Sequence, residues 1–274
     1  MIFCHARIAP WRVIICLGIA CFLLALEAKP ASAQFYVRSP DVDKGETELE
    51  EHGAIFAGPG EDERLRQSHE VEAKYGFSDR WEGIVEGFFD QEIGDSLEAR
   101  QFELGGQYEI IEREGDGVGL GFRAIYEFAL QDHSPDEIQF GPIAKWVTGR
   151  NSATINTFFV GQVGDEAEID SLEFQLNWQL KRELTERLAL GVEGFSEIED
   201  LAHRGSFDDQ EHRMGPVVYL ELGDYEGEKD TLDRGRAEER GPKGPEWNLA
   251  AGALFGLSEA TSDVTFKFDI EAEF

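Results

Sequence analysis

The sequence predicts an all-β protein, folded as a closed antiparallel up-and-down barrel of about twelve strands that crosses a membrane. Three observations carry this prediction: segments in which apolar and polar residues alternate, connections that are alternately short and long, and an apolar leader at the N-terminus. Successive side chains of a β-strand point to opposite faces, so strict alternation gives a strand one apolar and one polar face. The apolar face suits lipid outside a barrel, and the polar face suits a hydrated interior.

The first 33 residues predict an exported protein. Basic residues precede the apolar run Val13–Leu26, and "ASA" at 31–33 offers small residues for cleavage, which is the layout of a secretory signal peptide. This run of 14 residues is shorter than a spanning helix, which needs about 20. All three cysteines of the chain belong to this segment. We therefore expect cleavage near Ala33 and a mature chain without a disulfide, a redox thiol or a cysteine metal site.

The composition is strongly acidic but is not that of a disordered chain. The whole chain carries a formal charge of −31, and because the predicted leader contributes three basic residues and one acidic residue, the remainder carries −33. This charge argues against nucleic acid and bare anionic lipid as partners, since both require a basic patch. The 20 phenylalanines and 30 glycines are typical of a folded β protein.

The alternation is strictest at the C-terminus, where "VTFKFDIEAEF" (264–274) places its apolar residues on one parity and its polar residues on the other. The segments "VGLGFRAIYEFAL" (118–130) and "SLEFQLNWQLK" (171–181) repeat the pattern. We expect a barrel over residues 46–274, preceded by an N-terminal periplasmic segment at 34–45. The predicted strands are 46–57, 67–77, 81–91, 100–111, 118–130, 138–148, 152–164, 171–182, 188–198, 211–223, 247–257 and 264–274.

The connections between these strands alternate in length. Short turns such as "FSDR" (77–80) and "ELTER" (183–187) contrast with longer acidic loops, an asymmetry typical of outer-membrane barrels. Residues 224–246 break the rule, because this charged and flexible excursion falls where a short turn is expected. Conversely, "SEATSD" (258–263) looks like a tight turn but falls where a loop is expected. Either one strand is miscounted, within a range of about 10 to 14, or residues 224–246 are a real periplasmic excursion or plug.

The leader, the alternating strands and the terminal residue Phe274 resemble Gram-negative outer-membrane β-barrels over residues 34–274. The resemblance implies a location in the outer membrane, contact with its lipid and lipopolysaccharide, and recognition of Phe274 by the assembly machinery as an assembly signal. The turn motifs "YGFSDRW" (75–81) and "ELTERLALG" (183–191) are more narrowly similar to the barrel family associated with the meta pathway of phenol degradation.

The polar parity of the strands predicts a narrow, acidic lumen. One interpretation is that a hydrated network of charged side chains simply fills the barrel; the other is a pore whose carboxylates favour cations. The predicted lumen-lining residues are Glu72, Glu103, Glu109, Arg123, Glu127, Lys145, Glu173, Lys181, Glu193, Lys267, Asp269 and Glu271. We expect a passive channel for a small-molecule solute, with a preference for cations and no cofactor. The alternatives are a closed structural or surface-interaction barrel and a secreted soluble β protein.

The sequence offers little support for catalysis. An outer-membrane lipid hydrolase needs a serine, a histidine and an orienting Asn or Asp brought together. The candidates are "DHS" (132–134) and "HRGS" (203–206), both in predicted loops, and neither resembles the histidine, serine and asparagine run of barrel lipases. We therefore expect no enzyme.

The sequence also offers candidate metal ligands and candidate interfacial aromatic residues. His52 and His69 lie on neighbouring strands, where they could pair, although an imidazole in a polar lumen more often serves as a hydrogen-bonding filler. The acidic loops 164–170 and 197–211 could gather Ca²⁺ or Mg²⁺, but neither has EF-hand spacing. A girdle of aromatic residues near strand ends is predicted from Tyr75, Trp81, Tyr108, Trp146, Trp178 and Trp247.

Overall fold

The computed structural model describes residues 35–58, 65–164, 167, 171–222 and 245–274. It contains twelve strands: β1 (Thr47–Ala57), β2 (Leu65–Ser78), β3 (Trp81–Glu92), β4 (Glu98–Ile111), β5 (Gly117–Ala129), β6 (Asp136–Thr148), β7 (Asn151–Val163), β8 (Leu172–Glu183), β9 (Leu188–Ile198), β10 (Glu211–Leu222), β11 (Glu246–Gly256) and β12 (Val264–Glu273). A 3₁₀ turn, Phe207–Asp209, precedes β10. Within the described residues, no helix has the length and apolar character needed to span a membrane. The predicted signal peptide lies outside the described residues.

Each strand pairs antiparallel with the next along the chain, and β12 pairs with β1 to close the barrel. At the closure, Thr47 and Phe274 exchange two backbone hydrogen bonds, of 3.3 and 3.0 Å. Closure removes the unpaired edges that an open sheet would expose. The predicted closed up-and-down barrel of twelve strands is therefore confirmed, and every strand boundary lies within two residues of its predicted position.

The two faces of the wall differ in polarity as the alternation requires. On β12, Phe266 is 51% exposed on the outside, whereas its neighbour Lys267 is 2% exposed on the inside. The same inversion recurs around the barrel, where large apolar side chains are exposed and charged side chains are buried. A soluble barrel would bury its apolar face, so this exterior requires an apolar surrounding.

The barrel has two distinct ends. The connections β2–β3, β4–β5, β6–β7 and β8–β9 are short and lie at one end, which we call the turn end; the opposite end is the loop end. The connection from β10 to β11 also starts and finishes at the turn end, so the strand count is correct and the long connection is genuine. Of the predicted excursion at 224–246, residues 224–244 lie outside the described residues, and Glu246 begins β11.

Aromatic residues gather on the outside near the turn end. Trp81 and Tyr108 face each other across β3 and β4, with ring centroids 4.7 Å apart. Tyr75, Trp146 and Trp247 also lie near strand ends and are more than 40% exposed. Of the six predicted girdle residues, Trp178 is the exception, because it lies in the middle of β8.

Residues 35–45, which we call the N-terminal segment, run into the barrel: residues 35–42 lie inside it, and the exposed residues 43–45 lie at its turn end. The prediction of a periplasmic segment at 34–45 is therefore corrected over its described part. The segment enters at the turn end, where the Gly45 amide donates to the Gly76 carbonyl at 2.8 Å. It continues toward the loop end, where Phe35 contacts Phe56 and Phe195. The physical reason is complementarity, because the lumen offers buried carboxylates that need a cation and an apolar patch that needs a cover.

Candidate functional site in the barrel lumen

Arg38 of the N-terminal segment is the centre of a buried charge cluster. Its guanidinium donates to Glu72 Oε2 and Glu70 Oε1, both at 2.5 Å, and its Nη2 lies 3.0 Å from Glu86 Oε1. Arg123, from β5, also reaches Glu72 and Glu86. All five side chains are at most 5% exposed. We call Glu70, Glu72 and Glu86 the carboxylate cage.

The strand register explains why the cage forms. Glu70 and Glu72 are two residues apart on β2 and therefore share the inner face, and Glu72 is paired directly with Glu86 on β3. Like charges placed opposite each other across two strands are unfavourable. A cage of three buried carboxylates therefore needs cations, and Arg38 and Arg123 supply them.

Polar side chains of the wall also hold the backbone of the N-terminal segment. The Arg38 amide donates to Asn156 Oδ1 at 2.7 Å, and Asn156 Nδ2 donates back to the Arg38 carbonyl at 2.9 Å. Gln107 Nε2 donates to the Ser39 carbonyl at 3.0 Å. These contacts satisfy backbone groups that would otherwise be buried without partners. They place the segment in one register along the lumen.

A second anchor lies closer to the turn end. Lys145 Nζ donates to Ser39 Oγ at 3.0 Å and pairs with Asp41, while Arg113 Nη2 lies 3.5 Å from Asp41 Oδ2. Burial acts to raise the pKa of the Asp41 carboxyl, but the Lys145 ammonium and the hydrogen bonds from Lys145 and Ser39 bring that pKa below its usual value. Asp41 is therefore a charged partner of the wall.

Glycines in the wall make room for the N-terminal segment. A Cβ added to Gly121 would lie 3.1 Å from Pro40 Cβ, and one added to Gly76 would lie 1.9 Å from the Asp43 carbonyl oxygen. The second distance is far inside van der Waals contact. Only glycine permits so close an approach of two backbones.

The other side of the segment is apolar. Phe35 packs edge-on against Phe195 and Phe56, with centroid distances of 5.5 and 5.8 Å. Val37, Ala54 and Leu254 complete the cluster. This is a small hydrophobic core inside an otherwise polar lumen.

A further charge network lies on the wall beyond the segment. Lys267 Nζ donates to Glu193 Oε2 at 2.6 Å and lies 2.9 Å from Asp269 Oδ2, and Asp269 Oδ1 is 3.1 Å from His52 Nδ1. The Tyr36 ring stacks on His52, with a centroid distance of 3.8 Å. The predicted lumen residues Glu193, Lys267 and Asp269 thus meet in one cluster.

The suggested pairing of His52 with His69 is wrong. His52 is buried between Glu50 and Asp269 on the inner face. In the register of β1 and β2, His69 is paired with Gly53, so its side chain belongs to the opposite parity, where it contacts Glu51 at 3.0 Å. His52 acts as a hydrogen-bonding bridge between two carboxylates.

A cavity of about 470 Å³ occupies the turn-end half of the lumen, beside the N-terminal segment. Its lining holds ten carboxylate and four basic side chains. The carboxylates are Asp41, Asp43, Glu46, Glu48, Glu183, Glu193, Glu221, Asp269, Glu271 and Glu273, and the basic residues are Lys74, Arg113, Lys145 and Lys181. The cavity is therefore acidic.

Five of the twelve predicted lumen residues line this cavity: Lys145, Lys181, Glu193, Asp269 and Glu271. The other seven, Glu72, Glu103, Glu109, Arg123, Glu127, Glu173 and Lys267, are buried or half-buried within the wall network. Gln101, for example, donates to both Glu103 and Glu127, at 2.8 and 3.0 Å. Phe274 is 62% exposed at the turn end, and its role as an assembly signal stays a prediction.

The loop residues considered for catalysis make local turn contacts. His203 Nδ1 lies 2.8 Å from Asp200 Oδ2, and Ser206 Oγ donates to Asp209 at 2.7 Å. The loop at 164–170 lies largely outside the described residues. Among the described residues, carboxylates that converge closely enough to share a cation lie inside the barrel, in the carboxylate cage and at a second group of three, Glu48, Glu50 and Glu271.

The functional residues that sequence patterns did not predict are those of the N-terminal segment, including Tyr36, Arg38 and Asp41. The signal in the sequence is a single arginine, Arg38, in the stretch "FYVRSPDV" (35–42) of a very acidic chain. The position of the segment in the lumen could not be predicted, because the segment makes no strand pairs and its partners come from distant strands.

Comparisons with known proteins agree on the fold. No family model and no curated protein matches the chain. Among solved structures, the NanC porin superposes with a TM-score of 0.52 at 8% identity, over 82% of this chain and 98% of that chain. The KdgM porin, solved with disordered oligogalacturonate, gives 0.49 at 7% identity, over 83% and 98%. Omp33 of Acinetobacter baumannii gives 0.41 at 10%, over 84% and 98%. The superposition on the NanC porin shows that the chain has the fold of a closed β-barrel porin.

Proposed function

We propose that this protein is an outer-membrane channel through which small solutes diffuse passively, with a preference for cations. The acidic cavity inside a closed barrel carries the proposal, because ten carboxylates against four basic side chains leave a negative potential in a confined space. Fields of this kind act over about 8 Å at physiological salt, which is comparable to a narrow lumen.

The apolar exterior supports the location. Exposed phenylalanines, valines and leucines surround the barrel, and aromatic residues gather at the turn end. Export through the signal peptide 1–33, contact with outer-membrane lipid and lipopolysaccharide, and assembly directed by Phe274 complete the proposal. Phe268→Arg on the outer face should cost about 2 to 4 kcal/mol near the midplane of a bilayer. A protein recovered from the soluble periplasm, with no heat-dependent shift on gels, would contradict this location.

Planar-bilayer recording of the purified protein tests the channel. We expect a small conductance whose reversal potential in a salt gradient indicates cations, with a bias that fades as salt rises. Glu271→Gln and Glu221→Gln, both in the cavity lining, should lower the cation preference. Glu186→Gln, in the exposed β8–β9 turn, is the matched control and should leave the preference unchanged.

A closed structural or surface-interaction barrel is the second candidate, and the seated N-terminal segment favours it. The segment lies in the lumen and contacts the wall on two sides. Its Arg38 side chain binds Glu72 on β2, and its Phe35 ring packs against Phe195 on β9. Absence of conductance in wild-type protein would support this candidate, and an anion-selective pore would contradict the proposed role of the acidic lining.

Two finer points belong to the same proposal. The proposed channel acts by passive diffusion and needs no catalytic residues. The similarity of "YGFSDRW" (75–81) and "ELTERLALG" (183–191) to barrels of the meta pathway of phenol degradation suggests aromatic solutes. Conductance that is blocked by phenol would support that assignment, and block by glucose alone would contradict it.

A further inference from the structure

The carboxylate cage is filled by a residue that does not belong to the barrel wall. Glu70, Glu72 and Glu86 are fixed on β2 and β3, whereas Arg38 comes from a segment that precedes the first strand. If Arg38 is withdrawn, Arg123 still pairs with Glu72 and Glu86, and Lys74 Nζ lies 3.7 Å from Glu72 Oε1. Glu70 then has no salt bridge among the described residues. The cage would then hold an unbalanced negative charge.

The shape of the cage suits a guanidinium. The Arg38 group uses two nitrogens to bind three carboxylates from two strands, which is the planar, forked recognition that guanidinium provides and ammonium does not. The Tyr36 ring, 5.5 Å from Arg38 Cζ, belongs to the same segment, so it adds an aromatic face only while the segment is seated.

The cage also has acceptor capacity that Arg38 leaves unused. Glu70 is 3% exposed, and its Oε2 has no hydrogen-bond partner among the described residues. A buried carboxylate oxygen without a donor is costly and normally finds a partner. The guanidinium of a small solute is not fixed to the backbone, so it can direct one of its N–H groups at this oxygen.

We propose that the carboxylate cage is a binding site for a small guanidinium-bearing solute, occupied by Arg38 while the N-terminal segment is seated. When the segment withdraws, the site opens to a solute that carries the same group. The use of this site in passage rests on the proposed channel function, whereas binding at the cage does not.

Chemical rescue of Arg38→Ala in the full chain tests the site. This substitution should lower the thermal unfolding midpoint by about 10 °C, the size expected when one partner of a buried ion cluster is removed. Ethylguanidinium chloride at millimolar concentration should restore most of the loss in a saturable way, because a ligand that binds only the folded state stabilises it. Sodium chloride and ethylammonium chloride at equal concentration should not.

Two controls sharpen the result. Wild-type protein should not respond, because Arg38 already fills the cage, and Arg38→Ala combined with Glu86→Gln should lose most of the rescue. Equal recovery with sodium chloride, or no recovery with ethylguanidinium, would overturn the proposal. If Arg38→Ala does not fold without a ligand, the measurement becomes the yield of folded barrel after refolding, read from its heat-dependent shift on gels. A yield that ethylguanidinium does not change would overturn the proposal.

Bilayer recording on the same preparations separates this proposal from the channel. Rescue without any conductance in wild-type or variant protein would support the guanidinium site and contradict the proposed channel function. Cation conductance without rescue would keep the channel and overturn the guanidinium site.

Discussion

The two sides of the N-terminal segment are held by different forces. On one side Arg38 meets the carboxylate cage through direct ion pairs of 2.5 to 3.0 Å. On the other side Phe35 packs against Phe56 and Phe195 at ordinary ring distances. Ion pairs demand one geometry and leave an uncompensated charge when one partner is lost, whereas apolar contacts lose energy gradually with area and volume.

The two sides of this segment of eleven residues therefore have different roles. The charged side determines the register of the segment along the lumen, because only one position satisfies the cage and Asn156 together. The apolar side contributes attraction that tolerates small shifts. Five predictions test whether the two sides differ in this way.

Replacing Arg38 with methionine should have the largest effect. The substitution keeps much of the side-chain volume but leaves three buried carboxylates with too little positive charge, so the free energy of unfolding should fall by about 4 kcal/mol. Urea unfolding in detergent micelles gives the value, with Arg38→Lys as the control that keeps the charge. A loss below about 1 kcal/mol would mean that the cage is hydrated and does not depend on Arg38.

Phe35→Ala should cost about 3 kcal/mol, because it removes a buried ring and leaves a cavity. Phe35→Leu, which conserves most of the volume, should cost less than about 1.5 kcal/mol. The same unfolding measurement applies. Equal costs for the alanine and leucine variants would show that ring packing does not hold this side of the segment.

Gly76→Ala tests the entry of the segment at the turn end. The added Cβ would lie 1.9 Å from the Asp43 carbonyl oxygen, and we expect a cost of about 2 kcal/mol with faster amide exchange over residues 35–45. Gly87→Ala is the matched control, because its Cβ would meet Phe89 at an ordinary 3.5 Å. Unchanged amide exchange over residues 35–45 in Gly76→Ala would mean that β2, and not the N-terminal segment, moves to accommodate the added Cβ.

Combining Arg38→Met with Phe35→Ala tests whether the two sides act together. If the segment is seated as one unit, the double variant should cost less than the sum of the single variants by about 1.5 kcal/mol, because a released segment has nothing further to lose. Additive costs would show that each side holds its own residues independently.

Asp41→Asn should have the smallest effect. The Asp41–Lys145 pair is partly solvated, so the cost near pH 7 should be about 1 kcal/mol. Because the folded state lowers the pKa of Asp41, its contribution is fully present above the unfolded pKa of about 3.9 and is lost as pH falls through the lower folded pKa. Unfolding of both proteins at about pH 7 and pH 3 checks this: a difference that grows toward low pH would contradict the sign.

Much of the wall could be predicted from the sequence, and the lumen only in part. The parity of β12 alone places Phe266 outside and Lys267 inside, and the structure agrees. Parity alone does not predict which residues line the cavity, because Glu103 and Glu271 share the inner parity but only Glu271 lines the cavity. Parity assigns a face, whereas the position along the barrel and the filling of the lumen depend on neighbours that are distant in sequence.

The barrel wall follows from local periodicity, which each strand expresses alone: this periodicity sets the twelve alternating segments, their boundaries and the polarity of their two faces. What occupies the interior depends on contacts between distant parts of the chain. Arg38 becomes the partner of Glu86 because strand register brings Glu70, Glu72 and Glu86 together and because Asn156, from β7, holds the backbone that carries the guanidinium. These residues are up to 118 positions apart in the chain, and a segment without strand pairs acquires its place only when the closed wall supplies its partners.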